Sequence, residues 1–195
     1  MINDILIFDD LLPAQYQDAI EDLMLGELSI PWFLLNDITY EADNNKKAGV
    51  EKKTPALCHT FNNENGIYSD KLDFIKPIAY TACSKINFSL RNILRTRSFL
   101  QLPTNMPSKI NNPHVDMERP HLVCLYYVND TTGPTVIYEQ TLLDTAIANV
   151  GVTEFKILQT VEPKKGRFVL FNGHHYHSSS TPVDVKRCII NFDLE

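Results

Sequence analysis

Two segments in the first half of the chain repeat hydrophobic residues at the spacing of a helix. The first pattern predicts a helix that begins at Pro13, a residue suited to a first helical turn, and ends at Gly26. Its apolar positions are Tyr16, Ile20, Leu23 and Met24. A short apolar run at 5–8 precedes this helix, and a strand is predicted after it at 32–35.

The second pattern predicts a helix that follows Ser69, whose side chain suits an N-cap. Its apolar positions are Leu72, Ile75, Ala79, Ala82 and Ile86. Pro77 lies inside this pattern and lacks a backbone N–H, so we expect it to kink or interrupt the helix. Between the two helices, 42–55 is a polar segment that we expect to form a loop.

From about residue 92 the pattern changes to short apolar or alternating runs separated by turn residues. The predicted strands are 93–102, 114–116, 121–128, 135–139, 155–161, 167–171 and 186–194. Helices followed by many short strands are typical of the α+β class, here with an antiparallel sandwich or barrel-like core. We expect a single domain over 1–195, with supporting elements over about 1–92 and the β core over about 92–195.

The composition of the 195-residue chain is that of a globular protein, with 44% hydrophobic and 22% charged residues. Its net charge of −6 repels polyanions, which disfavours nucleic acid and anionic membranes as partners. No apolar stretch approaches about 18 residues and no signal-peptide pattern follows Met1, so we expect a cytoplasmic protein. The cysteines form no CxxC pair and lie in apolar stretches, which predicts buried free thiols in a reducing compartment. They are Cys58, Cys83, Cys124 and Cys188.

A candidate metal site begins with the His-Val-Asp sequence at His114 and Asp116. On an extended strand these two side chains project to the same face and could reach one ion, although a turn or a surface pair fits the same motif. Half of the six histidines lie within four residues, at His174, His175 and His177, and one of them could supply a third ligand. Two histidines and one carboxylate on one face of iron(II) leave positions open for a chelating cosubstrate and oxygen.

The order of these motifs resembles the iron(II)- and 2-oxoglutarate-dependent dioxygenases, closest to the prolyl hydroxylase-like branch. The family carries His-x-Asp, an apolar strand with a Tyr-Tyr pair, a Gly-Arg-apolar strand leading to a His, and a basic residue about ten positions later. The matching segments here are His114-Val-Asp116, Tyr126-Tyr127, Gly166-Arg-Phe-Val-Leu-Phe171 with His177, and Arg187. The resemblance covers about residues 100–195.

This resemblance implies a double-stranded β-helix (jelly-roll) core with N-terminal supporting helices. It also implies a hydroxylase that uses Fe(II), O2 and 2-oxoglutarate, and converts 2-oxoglutarate to succinate and CO2. The implied catalytic metal ligands are His114, Asp116 and His177, the last because Arg187 follows it by ten residues. His174 and His175 remain alternative ligands. Arg187 and Tyr127 are the implied partners of the distal carboxylate of 2-oxoglutarate.

One position departs from the family pattern, since Ile189 stands where a serine is frequent two residues after the basic residue. One polar contact to the cosubstrate is therefore missing or supplied elsewhere. A family tyrosine on the strand before His-x-Asp would fall near Leu102, which is not a tyrosine.

Three alternatives compete with a hydroxylase of a prolyl residue in a peptide or protein. Nucleobase-repair dioxygenases carry a second arginine soon after the first, and none follows Arg187. A cupin-like metal-binding sandwich without oxygenase activity usually has Glu close after His-x-His, whereas the next acidic residue after His177 is Asp184. The third is a hydroxylase of a free amino acid or other small molecule. The loops at 42–55 and 101–113 are expected to set the substrate, and oligomeric state has no sequence signal.

Overall fold

The computed structural model describes residues 2–38, 54–104, 109–143 and 155–195. In these ranges the chain forms two helices, α1 (Ala14–Leu25) and α2 (Leu72–Lys85). The strands are β1 (Leu6–Phe8), β2 (Phe33–Leu35), β3 (Ala56–Asn63), β4 (Gly66–Ile67), β5 (Ile93–Gln101), β6 (Leu122–Tyr127), β7 (Thr135–Thr141), β8 (Ile157–Val161), β9 (Phe168–Asn172), β10 (His175–Ser179) and β11 (Arg187–Leu194). Most of the predicted polar loop, 42–53, lies outside the described residues.

The strands form two antiparallel sheets. The large sheet has the order β1-β9-β6-β11-β5-β3-β2, with β4 paired to β3, and the small sheet has the order β10-β7-β8. Neighbours such as β6 and β11 are far apart in sequence, so the sheets are built by long-range pairing. Two antiparallel sheets with two helices confirm the predicted α+β class with a jelly-roll core.

Strand alternation gives the large sheet two different faces. On β11, Cys188, Ile190 and Phe192 are fully buried on the face that packs against both helices. The intervening residues Arg187, Ile189 and Asn191 line a cavity on the other face. The hydrophobic cluster between the large sheet and the helices contains Ile20 and Met24 of α1 together with Ile75, Ile78, Ala79 and Ala82 of α2. The helices therefore cover one face of the sheet and leave the other free to build a site.

The first predicted helix is confirmed, since α1 begins after Pro13 and ends before Gly26. The second predicted helix is also present, with a correction at its N-cap. Lys71, and not Ser69, occupies the N-cap position, and Ser69 Oγ instead accepts a hydrogen bond from the Lys71 amide at 3.3 Å. Pro77 lies within an uninterrupted helix. Burial of the apolar stripe of α2 against the sheet offsets the hydrogen bond that proline cannot donate.

All but one of the predicted strands are present, and three strands were not predicted. The pattern missed β3, β4 and β10, because β3 and β10 contain polar residues that side-chain partners stabilise in a buried position. Residues 114–116 do not form a strand, and His114 instead makes an isolated bridge to His177. All four cysteines are buried and free, as predicted. In the described ranges no helix is both long and apolar enough to cross a membrane.

Candidate functional site

His114 and His177 are brought together by a short antiparallel bridge. Each backbone N–H donates to the carbonyl of the other residue, at 3.0 Å from His114 and 2.9 Å from His177. The two imidazole centroids lie 4.6 Å apart, and the His177 ring packs edge-on against Phe171. The bridge thus fixes both rings on the cavity side of the small sheet.

Hydrogen bonds to carbonyl oxygens determine which ring nitrogen of each histidine is available. His114 Nδ1 donates to the Asn112 carbonyl at 3.3 Å, and His177 Nδ1 donates to the His175 carbonyl at 3.2 Å. A carbonyl oxygen only accepts, so each Nδ1 carries a proton and Nε2 is the ring nitrogen of each histidine that is left to face the cluster. Metal-ligating histidines are commonly oriented in this way.

The Asp116 carboxylate is held from the opposite sheet. Its Oδ1 accepts hydrogen bonds from Arg95 Nη2 at 3.0 Å and Arg97 Nη2 at 2.9 Å. Its Oδ2 accepts from Asn191 Nδ2 at 3.1 Å and lies 3.2 Å from His177 Nε2. The two arginines therefore occupy one carboxylate oxygen, while the other faces the histidines.

The charges of this cluster shift the ionisation of its members. Burial raises the pKa of Asp116, but the His177 hydrogen bond and the guanidinium charges outweigh burial and hold it well below its usual range. Burial and the neighbouring His177 lower the pKa of His114 to about 4. Burial alone would lower the pKa of His177, and its contact with Asp116 raises it instead. Asp116 is therefore an anion and His114 a neutral imidazole at neutral pH.

The three groups fit a first-row transition metal. One ligand atom from each of His114, Asp116 and His177 lies within 4.8 Å of the others, and all three side chains are largely buried. Two imidazoles and one carboxylate form the donor set that non-haem iron(II) sites use, with open positions left for other ligands. The structure thus brings together the three residues that the sequence motifs singled out.

His174 and His175, the alternative ligands, have backbone partners instead. His174 Nε2 bonds to the Glu118 carbonyl at 3.1 Å, and His175 Nδ1 bonds to the Tyr138 carbonyl at 2.8 Å. Among the described residues, the cluster that could hold a metal contains His177 and neither of these two. This placement favours His177 as the third ligand.

One cavity extends from this cluster to Arg187. Both the three candidate ligands and Arg187 line its wall, together with Phe99, Ile189 and other apolar residues. The Arg187 side chain is almost fully buried, with 1% of the residue exposed. Its Nε donates to the Gly133 carbonyl at 2.7 Å and its Nη1 to Gln101 Oε1 at 3.2 Å. Gly133 has a φ of 87°, a conformation that favours glycine.

Tyr127 lies behind Arg187 on the inner face of β6, whereas Tyr126 packs toward the helices. The guanidinium carbon of Arg187 is 5.4 Å from the centroid of the Tyr127 ring. The Tyr127 hydroxyl donates to Thr135 Oγ1 at 2.6 Å, and Arg187 Nη2 also donates to Thr135 Oγ1, at 2.8 Å. The structure therefore places both residues implied for carboxylate binding next to each other, with Thr135 between them.

The residues that support Asp116 were not among the predicted site residues. Arg95 and Arg97 occupy alternate positions of β5 and so share its inner face. Two arginines at alternate positions of a predicted strand were an available signal, because such charges are buried only when paired. Asn191 had no local signal, since it reaches Asp116 only through the pairing of β11 with β5.

Solved structures resemble the chain over nearly its whole length. An oxidoreductase of the 2OG-Fe(II) oxygenase family from Burkholderia pseudomallei shares 11% identity at a TM-score of 0.65, covering 98% of this chain and 84% of that chain. A Pseudomonas putida prolyl-4-hydroxylase shares 13% identity at a TM-score of 0.56, and the match covers 98% of this chain and 92% of that chain. A Trichoplax adhaerens prolyl hydroxylase in complex with a hypoxia inducible factor peptide fragment shares 12% identity at a TM-score of 0.61. The match covers 98% of this chain and 84% of that chain. The chain has the 2OG-Fe(II) oxygenase fold. No protein-family model matches it, and no curated protein matches its sequence.

Within this oxygenase fold, two buried histidines fasten the segment that follows Asp116. His121 Nδ1 bonds to the Arg119 carbonyl at 2.8 Å, and His174 bonds to the Glu118 carbonyl. A Cβ atom at Gly173 would collide with the His121 ring, which is itself buried. The close approach of this glycine therefore allows His121 to hold the segment.

We expect Gly173→Ala to lower the free energy of unfolding by about 1–3 kcal/mol, because the added methyl group overpacks the His121 ring. Urea denaturation measures this change. In the double variant with His121→Ala the cost of the methyl group should shrink, and the coupling energy of the cycle should be at least about 0.5 kcal/mol. Additive effects would show that the ring is not the obstacle.

Proposed function

We propose that the protein is a non-haem iron(II) oxygenase that couples oxidative decarboxylation of 2-oxoglutarate to hydroxylation of a substrate. The observation that carries this proposal is Arg187, a buried cation with no carboxylate partner among the described residues. A buried charge is costly unless an opposite charge pairs with it, so we expect the cavity to bind an anion next to Arg187. The same cavity contains the candidate metal ligands.

The residues of the cavity have distinct roles in this proposal. His114, Asp116 and His177 hold the metal, and Arg187 with Tyr127 behind it holds the far carboxylate of 2-oxoglutarate. Bound iron supplies the activation of oxygen, and the net reaction turns 2-oxoglutarate, O2 and a C–H group into succinate, CO2 and an alcohol. The apolar side chains of Phe99 and Ile189 line the cavity between the metal ligands and Arg187, and they exclude water.

The proposed substrate is a prolyl residue of a peptide or protein. Two of the structures with the same fold are prolyl hydroxylases, and one of them holds a peptide fragment. Leu35 and Ile38 add apolar surface to the cavity wall, which suits a pyrrolidine ring. A carboxylate at Asp116 also keeps a coordination position filled that halide would otherwise take, so hydroxylation is the expected outcome.

The proposal is tested by adding iron(II) and then 2-oxoglutarate to the protein under anaerobic conditions. We expect a visible metal-to-ligand charge-transfer band, and we expect His177→Ala to abolish it. His175→Ala is the matched control, because His175 lies on the same strand and bonds to a backbone carbonyl. Loss of the band in the His175 variant alone would transfer the ligand role to His175.

Turnover supplies the second part of this test. Proline-containing peptides, free proline and other free amino acids are each assayed for succinate formation together with a mass gain of one oxygen. Coupled turnover of a peptide supports the prolyl proposal, and coupled turnover of free amino acids alone redirects it to small molecules. An iron-loaded, folded protein that neither forms the band nor consumes 2-oxoglutarate would favour a metal-binding sandwich without oxygenase activity.

A further inference from the structure

Thr135 lies at the point where the cavity, Arg187 and Tyr127 meet. It is the first residue of β7, is 2% exposed, and lines the same cavity as Arg187. Two hydrogen-bond donors converge on its oxygen: the Tyr127 hydroxyl at 2.6 Å and Arg187 Nη2 at 2.8 Å. Thr135 was not among the predicted site residues.

The hydrogen-bonding capacity of a hydroxyl group is small enough to account for completely. A threonine hydroxyl has two lone pairs and one hydrogen. The two converging donors use both lone pairs, so the hydrogen of Thr135 is the part of the group that remains to be used. A buried hydroxyl hydrogen is costly to leave without an acceptor. Thr135 can therefore donate into the cavity but cannot accept from a ligand there.

Tyr127 is placed differently. Its side chain is fully buried, and its hydroxyl lies between Thr135 Oγ1 and the Val161 carbonyl, which is 3.2 Å away. The single hydroxyl hydrogen of Tyr127 is taken by the nearer of these, Thr135. Thr135 thus stands between the tyrosine hydroxyl and the cavity.

The groups of Arg187 that remain for a ligand are also hydrogen-bond donors. A guanidinium has five N–H groups, and Gly133, Gln101 and Thr135 accept three of them. Two N–H groups of Arg187 and the O–H of Thr135 then remain for a ligand, which makes three donors and no acceptor. A carboxylate matches this set, because its oxygens only accept. A terminal amide does not match, because its NH2 group would meet only donors.

We propose that Thr135 donates the hydroxyl hydrogen bond to the distal carboxylate of 2-oxoglutarate, and that Tyr127 is a positioning residue that holds Thr135 from behind. This inference rests on the proposed function, which supplies the cosubstrate. It assigns to Thr135 the polar contact that Ile189, in place of serine, cannot make.

The test measures 2-oxoglutarate affinity for the anaerobic iron(II)-loaded protein by calorimetry. Thr135→Val has the same shape without the hydroxyl, and we expect roughly 10- to 150-fold weaker binding, the loss of one hydrogen bond to a charged group. Thr135→Ser should bind as the wild type does. Iron(II) affinity should be unchanged in both variants, and Thr135→Ala provides the same comparison if the valine variant does not fold.

Tyr127→Phe separates the direct contact from the positioning role. We expect it to weaken 2-oxoglutarate binding less than Thr135→Val does, and to add nothing further in the double variant. A second measurement compares the affinity for 2-oxoglutarate with that for the analogue with a distal amide. The ratio of the two affinities should be much larger in the wild type than in Thr135→Val.

Two outcomes would overturn the inference and are distinguishable from each other. If the wild type binds 2-oxoglutarate and Thr135→Val binds it equally well, the role of Thr135 is refuted and the proposed function stands. If the wild type binds iron(II) but not 2-oxoglutarate, both proposals fall.

Discussion

Replacing Arg187 with methionine should weaken 2-oxoglutarate binding by about 2–5 kcal/mol, which is roughly a 30- to 5,000-fold increase in Kd. The guanidinium is buried and holds only neutral partners, so its charge is available in full to an incoming carboxylate. Iron(II) affinity should change little, because Arg187 touches none of the three candidate metal ligands. Calorimetry under anaerobic conditions measures both affinities.

Two further variants make this result specific. Arg187→Lys keeps the charge but loses the planar fork, so its Kd should lie between those of the wild type and the methionine variant. Arg167→Met is the matched control, because Arg167 is an arginine whose charge is already paired with Asp9 at the surface. If an Arg187 variant binds 2-oxoglutarate normally, Arg187 is not the partner of its carboxylate, and the proposed function loses its main support. Equal loss of iron and 2-oxoglutarate affinity would indicate a misfolded β11.

The Asp116→Ala variant of the metal-free protein should be less stable by about 3 kcal/mol, although Asp116 is also a candidate metal ligand. Its carboxylate pairs with Arg95 and Arg97, and all three side chains are largely buried. Removing the carboxylate takes an ion pair away from each of two buried arginines, although Arg95 keeps its other pair with Asp193. Denaturant unfolding in the presence of a chelator measures the difference.

His114→Ala serves as the control for this prediction. His114 is a neutral imidazole in the same cluster, with a hydrogen bond to the Asn112 carbonyl, so its removal should cost only about 1 kcal/mol. Asp116→Asn should be intermediate, since an amide oxygen in the place of Oδ1 can still accept from both arginines but carries no charge. If the Asp116 and His114 variants lose equal stability, the two arginines do not depend on the carboxylate.

Local patterns predicted the parts of this structure that depend on neighbouring residues. Proline, glycine and a helical apolar repeat set the bounds of α1. The His-x-Asp motif and the later histidine cluster supplied all three residues of the candidate metal cluster. Each of these signals is contained within a short stretch of the chain, so it can be read from the sequence without knowledge of the strand pairing.

Features that depend on strand register were not predictable in this way. Asn191 reaches Asp116, and Arg95 reaches Asp193, only because β5 and β11 pair in one particular register. Tyr126 and Tyr127 could not be told apart either, because β6 has apolar residues on both faces and only the packed helices distinguish them. The strand β10 escaped notice because its polar side chains find partners on β7 and in the cavity wall.

The candidate metal ligands are anchored to different sheets. His177 belongs to β10 of the small sheet, and its bridge to His114 ties that histidine to the same sheet. Asp116 is tied to the large sheet through Arg95 and Arg97 on β5 and Asn191 on β11. An ion bound by all three would act as a cross-link between the two layers of the sandwich. Metal affinity and resistance of the layers to separation are then one linked equilibrium, so a substitution that loosens the contact between the sheets would also release the ion.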